Sequence, residues 1–332
     1  MSNAIVFDGV MRELNMDALA AKRKLDARKK LLYERLPRVE QIDRELSQIG
    51  LDMVQKILKR QDSVQLVSSQ KEKYNALNAE REQLLYENGY DDSFFTDVYK
   101  CVACEDTGFV GGGHCTCLKQ RLISCYFDMS NLGKVFKEEN FDAFNMSYYS
   151  EQIEPNIGIS PKDNIKRIWK AALEFVENFG ENGDNWLLYG LSGRGKTFLS
   201  NCIAGDLLQK GHTVLYTTAP ELFRRVEEER FGKGDAKRKG VTGINFAYEA
   251  DLLIIDDLGT EFATVVTDSE LFNFINARML AQKSTIINTN LTPTDIDANY
   301  SNRISSRIHG NYILFHVFGD DIRKAKKYGV SV

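Results

Sequence analysis

A chain of 332 residues is long enough for two domains, because single hydrophobic cores usually stop growing at about 250 to 300 residues. Its 43% hydrophobic and 27% charged residues exclude wholesale disorder, and no apolar run reaches the roughly 20 residues that a membrane span requires. The formal net charge of -4 excludes uniform nucleic-acid-binding charge, so any such site has to be local. We expect a cytoplasmic protein without a signal peptide or membrane partner.

Residues 10–90 have the pattern of amphipathic helices. Pro37 and Gly50 interrupt this pattern, so we expect two or three packed helices rather than one long helix. The apolar stripe indicates a helical core, and a partner-binding surface would lie among the exposed residues. We assign residues 1–95 to this helical region. The apolar residues recur every three or four positions among charges: Leu32, Leu36, Val39, Ile42, Leu46, Ile49, Met53 and Ile57.

Four of the six cysteines lie within residues 101–117, as C-x-x-C followed by C-x-C. In a cytoplasmic chain this clustering favours metal ligands or core positions over disulfides, and four thiolates can surround a tetrahedral Zn²⁺. Four protein ligands leave no place for a substrate water, so we predict a structural zinc module over residues 96–130. His114 remains an alternative fourth ligand, as does a metal-free thiol cluster, and we expect Cys125 and Cys202 in the core. The predicted ligands are Cys101, Cys104, Cys115 and Cys117.

Residues 131–332 alternate short apolar segments with segments of helical length. The apolar segments read NWLLYG, TVLYTTA, DLLIIDD, STIINTN and YILFHVF. This alternation is typical of parallel strands joined by crossover helices, which cover both faces of the sheet. A mixed, turn-rich segment precedes it, so we place the join near residue 130. The sequence predicts an α/β domain after a helical region with a small zinc module.

The segment GLSGRGKT, residues 190–197, matches G-x-x-x-x-G-K-[ST] between an apolar strand and a helical pattern. This is the context of a phosphate-binding loop, in which backbone N–H groups and a helix N-terminus bind phosphate oxygens. We expect Lys196 to reach the outer phosphates and the Thr197 hydroxyl to hold Mg²⁺. A glycine turn without a ligand is the structural alternative. The other predicted nucleotide-binding residues are Gly190, Ser192, Gly193, Arg194, Gly195 and Phe198.

Residues 221–240 carry seven basic and five acidic residues. Single-stranded nucleic acid requires a positive groove that follows its phosphates, and this segment is a candidate. A solvated helix followed by a loop is the alternative. The candidate residues are Arg224, Arg225, Lys237, Arg238 and Lys239.

Polar residues follow two of the apolar segments. Asp256 is placed to hold Mg²⁺ through water, and Asp257 stands where a water-activating carboxylate would lie. Asn290 could orient the attacking water. The alternatives are strand-capping acids and a turn-forming asparagine.

Three arginines in the last part of the chain are candidates for the γ-phosphate. A guanidinium aimed at this phosphate can raise the rate of hydrolysis ~10³ to 10⁵-fold. Solvated surface charge is the alternative. The residues are Arg303, Arg307 and Arg323.

The ordered segments LLYGLSGRGKTFLSNCIA, LLIIDDLGTE, TIINTNLTP and GDDIR resemble the AAA+ ATPases of the DnaC/DnaI helicase-loader and IstB group, over residues 140–328. The resemblance implies an AAA+ fold that binds ATP and Mg²⁺ between subunits of a homo-oligomer. It also implies that Asn290 is the sensor 1 residue and Arg323 the sensor 2 arginine. Arg307 would be the arginine finger given to a neighbouring subunit, with Arg303 as its rival.

DnaI-like loaders carry a zinc-bearing amino-terminal domain that binds the replicative helicase, whereas IstB-type helpers usually lack the cysteine cluster. The resemblance therefore implies a loader that docks on a hexameric DnaB-type helicase and turns residues 221–240 toward single-stranded DNA. Asp257 replaces the more common glutamate and few residues follow Arg323, which implies slow, partner-stimulated hydrolysis and a reduced lid. An IstB-like transposition helper and an ATP-dependent adaptor without hydrolysis remain the alternatives.

Overall fold

The computed structural model describes residues 3–58, 64–96, 98–126, 132–181, 183–231, 244–262 and 264–324. The chain divides into two compact units, which we call the helical unit, residues 11–115, and the sheet unit, residues 1–10 and 116–332. The predicted division into 1–95, 96–130 and 131–332 stays a prediction. Within the described ranges, every helix is too short or too polar to span a bilayer.

Three long helices account for most of the described amino-terminal residues, as the pattern predicted. Pro37 begins the second helix, because a first-turn residue needs no N–H donor. The expected interruption at Gly50 is wrong, since this helix continues through it while the neighbouring Ile49 is buried against the third helix. The helices are α1 (Asn3–Arg35), α2 (Pro37–Leu58), α3 (Val64–Glu87) and the short α4 (Ser93–Thr96).

The core of the helical unit includes two buried apolar clusters. One contains Leu32, Val39 and Leu85, and the other contains Ile42, Ile49 and Leu77. Half-buried polar contacts join α2 to α3, since Arg81 Nε donates to Asp43 Oδ1 at 2.7 Å. The periodic apolar residues from Leu32 to Ile49 therefore form a helical core, as expected, whereas the side chains of Met53 and Ile57 lie outside the described residues.

A two-residue hairpin and a helix follow. Strands β1 (Phe109–Val110) and β2 (Gly113–His114) pair antiparallel, and α5 spans Thr116–Tyr126. The Gln120 amide extends the edge of the main sheet, because its Nε2 donates to Val214 O at 3.0 Å and its Oε1 accepts from Val214 N at 2.8 Å. The helix thus packs with the sheet unit, although the predicted join lay near residue 130. Cys125 at its end is exposed, which corrects the expected core position, whereas Cys202 is buried.

The five apolar segments form one parallel sheet, which confirms the predicted α/β class. Its strands are β3 (Asn185–Tyr189), β4 (Val214–Thr218), β5 (Leu252–Leu258), β6 (Ser284–Thr289) and β7 (Tyr312–His316), in the spatial order β4-β5-β6-β3-β7. In register, Leu187 pairs with Ile287 and with Leu314. All chain directions agree, so the carboxyl ends of the strands lie along one edge, where α/β proteins bind ligands.

Helices flank this sheet. They are α6 (Leu132–Glu138), α7 (Pro161–Glu177), α8 (Lys196–Gln209), α9 (Ala219–Phe231), α10 (Asn245–Glu249), α11 (Val265–Leu280), α12 (Pro293–Asn299) and α13 (Asn302–Asn311), with a 3-10 turn at Met146–Tyr148. Sequence signals set their starts: Ser160 caps α7 by accepting from Asp163 N, and Thr264 and Thr267 form a capping box on α11. These caps fix the residue at which each helix begins, and therefore where the preceding loop ends.

Candidate nucleotide and metal sites

A cavity of about 360 Å³ lies at the carboxyl ends of β3, β5 and β6. It brings together most of the predicted nucleotide site. Among its lining residues are Ser192, Gly193, Arg194, Gly195, Lys196, Thr197, Phe198, Asp256, Asp257, Asn290 and Arg323. Residues separated by more than a hundred positions therefore meet in one concave site.

The three glycines of the loop are required by its geometry. Gly190, Gly193 and Gly195 have φ angles of +139°, +79° and +97°, which side-chain-bearing residues rarely adopt. A Cβ at Gly190 would lie 2.1 Å from Val317 O, and one at Gly195 would lie 2.4 Å from the Tyr149 hydroxyl. The glycines thus let the loop pass close to its neighbours at the start of α8, where backbone N–H groups favour anions.

Lys196 is held inside the loop. Its Nζ donates to Gly190 O at 2.6 Å, Leu191 O at 3.0 Å and Asn290 Oδ1 at 2.9 Å, and the residue is only 7% exposed. Burial lowers the pKa of Lys196 to about 8, against the attraction of nearby carboxylates. The ammonium is therefore positioned at the loop and able to titrate near neutral pH.

The two aspartates differ in environment. Asp256 is buried at 5% exposure, and Thr197 Oγ1 donates to its Oδ2 at 3.1 Å. This hydroxyl and carboxylate fit Mg²⁺, which prefers oxygen ligands and a triphosphate. Asp257 has a left-handed φ of +56°, and burial followed by the charge of Asp256 raises its pKa. The raised pKa makes Asp257 a better proton acceptor than an ordinary aspartate in water.

The arginines fall into two groups. Arg323 lines the cavity, because the segment after β7 returns to the loop and Ile322 N donates to Gly193 O at 2.9 Å. Arg303 and Arg307 are exposed on α13, and in the described part of the chain neither lines this cavity. A finger role for either would need a second chain.

Sequence reasoning missed an aromatic wall of the cavity. Phe144, Tyr148 and Tyr149 lie on the turn-rich segment before α7, and the Phe144 and Phe198 rings meet edge to face at 5.6 Å. Tyr149 also donates to Arg194 O at 2.9 Å, below the loop. The cluster of aromatic letters in FDAFNMSYYS was the available signal. Flat apolar faces beside a phosphate loop fit a planar base.

Sequence reasoning also missed Tyr216 on β4. Its hydroxyl donates to Asp256 Oδ2, which already accepts from Thr197. A tyrosine in the predicted strand TVLYTTA carries a polar tip that needs a partner once it is buried, and this was its only signal.

The four clustered cysteines meet in space. Their Sγ atoms all lie within 4.8 Å of one another, and those of Cys101 and Cys115 are 3.8 Å apart. A tetrahedron with Zn–S bonds of about 2.3 Å has S···S edges of about 3.8 Å. Among the described residues, the group that could hold a metal contains the four cysteines and does not include His114. The thiols therefore fit Zn²⁺.

Backbone geometry supports this cysteine cluster. Gly108 N lies 3.3 Å from Cys104 Sγ, as expected where an amide donates to a thiolate. The buried carboxylate of Asp106 accepts from Lys100 N at 3.0 Å and from Cys101 N at 2.8 Å. These contacts fix the first cysteine pair in a tight turn.

The basic residues of this segment whose side chains the structure describes are paired within α9. Arg224 and Arg225 on α9 donate to Glu221 at 2.6 and 2.8 Å. Arg224 also pairs with Glu228. Lys237, Arg238 and Lys239 lie outside the described residues.

Comparisons with known proteins agree with the motifs. Residues 159–316 match the family described as IstB-like ATP binding protein. Over 164 residues the chain is 23% identical to the replicative helicase loader DnaC of Buchnera aphidicola subsp. Baizongia pistaciae, covering 49% of this chain and 66% of that one. It is 27% identical over 146 residues to the chromosomal replication initiator protein DnaA of Aquifex aeolicus, covering 44% and 35%. The chain thus spans between about a third and two thirds of these relatives.

Two solved structures align with about half of this chain. A crystal structure of the DnaC helicase loader aligns with a TM-score of 0.45 and 21% identity, covering 56% of this chain and 99% of that one. A crystal structure of DnaI aligns with a TM-score of 0.42 and 23% identity, covering 47% and 86%. The sequence matches confirm the resemblance of the carboxy-terminal half to the DnaC/IstB group of AAA+ ATPases.

Proposed function

We propose that this chain, whose carboxy-terminal half is a DnaC/IstB-type AAA+ module, is an ATP-dependent loader of a DnaB-type replicative helicase. The observation that carries the proposal is the convergence of Lys196, Thr197 and Asp256 on one cavity behind a glycine loop. These residues would hold ATP and Mg²⁺, with the loop amides and Lys196 on the phosphates. The fold class, family resemblance and cysteine cluster support a loader, acting in the cytoplasm.

We propose the following roles for individual residues in ATP hydrolysis. Asp257, whose pKa is raised, would accept a proton from the attacking water, and Asn290 would orient that water once ATP draws Lys196 toward the phosphates. A carboxylate one methylene shorter than glutamate holds the water less well, so we expect slow turnover. Arg323 would act on the phosphates of its own chain.

Nucleotide binding is the first test. Fluorescent ATP should bind the wild-type chain in magnesium buffer and lose affinity at least tenfold in Lys196→Ala, since the ammonium and its position are both lost. Arg167→Ala, on an exposed turn of α7 away from the cavity, is the matched control. Equal binding by Lys196→Ala and wild type would refute the site.

The arginine finger is proposed to act between chains. Arg307 is exposed on α13 outside the cavity, and Arg303, also exposed, lies one turn before it. We expect Arg307→Ala to lose hydrolysis and to regain part of it when mixed with Lys196→Ala, because each mixed interface can contain one intact site and one intact finger. If Arg303→Ala instead lost hydrolysis and regained it when mixed with Lys196→Ala, the finger role would belong to Arg303. If neither mixture hydrolyses ATP, the proposed shared site fails.

The partner is the finer part of the proposal. Resemblance to DnaC and a zinc-fitting cysteine cluster that follows the amino-terminal helices in the chain support docking on a DnaB-type helicase. Size-exclusion chromatography of the chain with the helicase of the same cell should give a joint peak that depends on ATP. Binding to a transposase in place of the helicase would favour an IstB-type helper.

Single-stranded DNA is proposed as a second partner. Arg224 and Arg225 are paired with Glu221, so phosphates would have to compete for them, and the masking of charge predicts modest, salt-sensitive affinity. Affinity for an oligonucleotide should fall in Lys237→Ala with Arg238→Ala. An unchanged affinity and salt slope would remove this partner.

A further inference from the structure

Tyr216 occupies a place in the sheet from which its hydroxyl reaches the metal-binding end of β5. In the parallel register of β4 and β5, Tyr216 pairs with Ile254 and Thr218 pairs with Asp256. Side chains two positions apart lie on one face of a strand, and a long side chain can reach its diagonal neighbour. The Tyr216 side chain therefore reaches its diagonal neighbour on β5 and donates to Asp256 Oδ2.

The carboxylate of Asp256 is nearly filled by donors from its own chain. Oδ2 accepts from Tyr216 and from Thr197, the latter at 3.1 Å, and Oδ1 accepts from Asp257 N at 2.9 Å. A carboxylate offers about four lone-pair sites, so about one is left, on Oδ1. These contacts stop the group from rotating and leave one direction for an outside ligand.

The Tyr216 hydroxyl is a buried donor to this carboxylate. The residue is 8% exposed, and its hydroxyl donates to Asp256 Oδ2. Because Tyr216 does not line the cavity, it would touch neither nucleotide nor metal directly.

We propose that Tyr216 is a positioning residue that fixes the Asp256 carboxylate in the orientation that binds a nucleotide-bound divalent cation. The role rests on the proposed nucleotide site. Partners that orient metal-binding groups typically account for a 10- to 100-fold difference in metal affinity. A residue that merely filled the core would alter stability without altering the requirement for metal.

Tyr216→Phe tests the role, because it keeps the ring and removes only the donor. Binding of a fluorescent ATP analogue is titrated with Mg²⁺ in the full-length chain, and again in EDTA. We expect the half-saturating Mg²⁺ concentration to rise about tenfold or more, with affinity in EDTA unchanged within about twofold. Excess Mg²⁺ should restore binding. Tyr312→Phe removes the hydroxyl of another buried sheet tyrosine, which does not contact Asp256, and should behave as wild type.

The outcomes separate the two proposals. An unchanged Mg²⁺ requirement in Tyr216→Phe, alongside a raised one in Asp256→Asn, would overturn the positioning role alone. A parallel loss of affinity in EDTA and in Mg²⁺, with a lowered melting temperature, would make the tyrosine merely structural. If the wild-type chain bound no nucleotide under any condition, the nucleotide site itself would fail and the role of Tyr216 with it.

Discussion

Replacing Arg278 with methionine should lower the free energy of unfolding of the sheet unit more than replacing any exposed charged residue. This arginine on α11 is 1% exposed, and its guanidinium donates to the backbone of two neighbouring segments. The acceptors are Ala247 O at 2.9 Å, Ala250 O at 2.8 Å, Asp251 O at 3.2 Å, Ser284 O at 2.6 Å and the Thr285 hydroxyl at 3.0 Å. One side chain thus ties together the residues that lead into β5 and β6.

The size of the effect follows from the orphaned acceptors. Burial lowers the pKa of Arg278 to about 10, so the group remains charged at neutral pH and its hydrogen bonds are charge-assisted. An unsatisfied buried acceptor costs about 1–3 kcal/mol, and the three shortest bonds end on backbone oxygens. Relief of the buried charge and packing of the methionine offset part of this. We expect a loss of about 3–5 kcal/mol, at the upper end for a single substitution.

Urea unfolding monitored by tryptophan fluorescence measures this loss. Both tryptophans of the chain, Trp169 and Trp186, lie in the sheet unit and report on it. For a unit of this size the melting temperature should fall by about 6–20 °C. Arg167→Met, exposed on α7, is the matched control and should change stability by less than about 0.5 kcal/mol. A loss below about 1 kcal/mol in Arg278→Met, with an unchanged m-value, would refute the clamp.

Three further outcomes are expected. Metal analysis should find one zinc per chain and none in Cys101→Ser with Cys104→Ser, and chelation should destabilise the helical unit. A metal-free, equally stable wild type would contradict this. Nucleotide affinity should weaken as the pH rises through about 8. The pKa of Lys196 is lower in the free chain than it would be beside phosphate, so nucleotide binding takes up a proton. Lys196→Met should abolish this pH dependence. Gly195→Ala should lose nucleotide binding because its Cβ would meet the Tyr149 hydroxyl at 2.4 Å, and Tyr149→Phe should restore part of it; no recovery would mean that backbone strain alone decides.

The glycine loop and the strand ends were predictable because their geometry is local. The residues from Gly190 to Thr197 include the glycines with positive φ angles and the first residues of α8. The apolar run that ends at Asp256 is enough to predict strand β5. Parallel pairing then brings the strand ends to one edge without further information. Consequently Lys196, Asp256 and Asn290 could be predicted to lie close together, and the structure brings them to one cavity.

The remaining features depend on contacts that no local pattern records. The aromatic wall at Phe144 and the clamp at Arg278 become visible only when segments far apart in sequence meet. The expected break at Gly50 failed for the same reason, since packing of its neighbour Ile49 outweighs the roughly 1 kcal/mol cost of glycine in a helix. Tyr216 is intermediate, because its strand was predicted and its partner was not.

The loop that binds phosphate is also joined directly to the segment that carries Arg323. Ile322 N donates to Gly193 O at 2.9 Å, and Asp321 Oδ1, which accepts from Arg323 N at 3.0 Å, lies where a Gly193 side chain would be. An incoming phosphate would repel the Asp321 carboxylate and attract the Arg323 guanidinium. Both forces would act on the short segment that is hydrogen-bonded to Gly193. We therefore expect Arg323 to respond to nucleotide within one chain. Arg307 is exposed on α13 and does not line this cavity, so in the proposed finger role it would act only from a second chain and would link nucleotide binding to assembly.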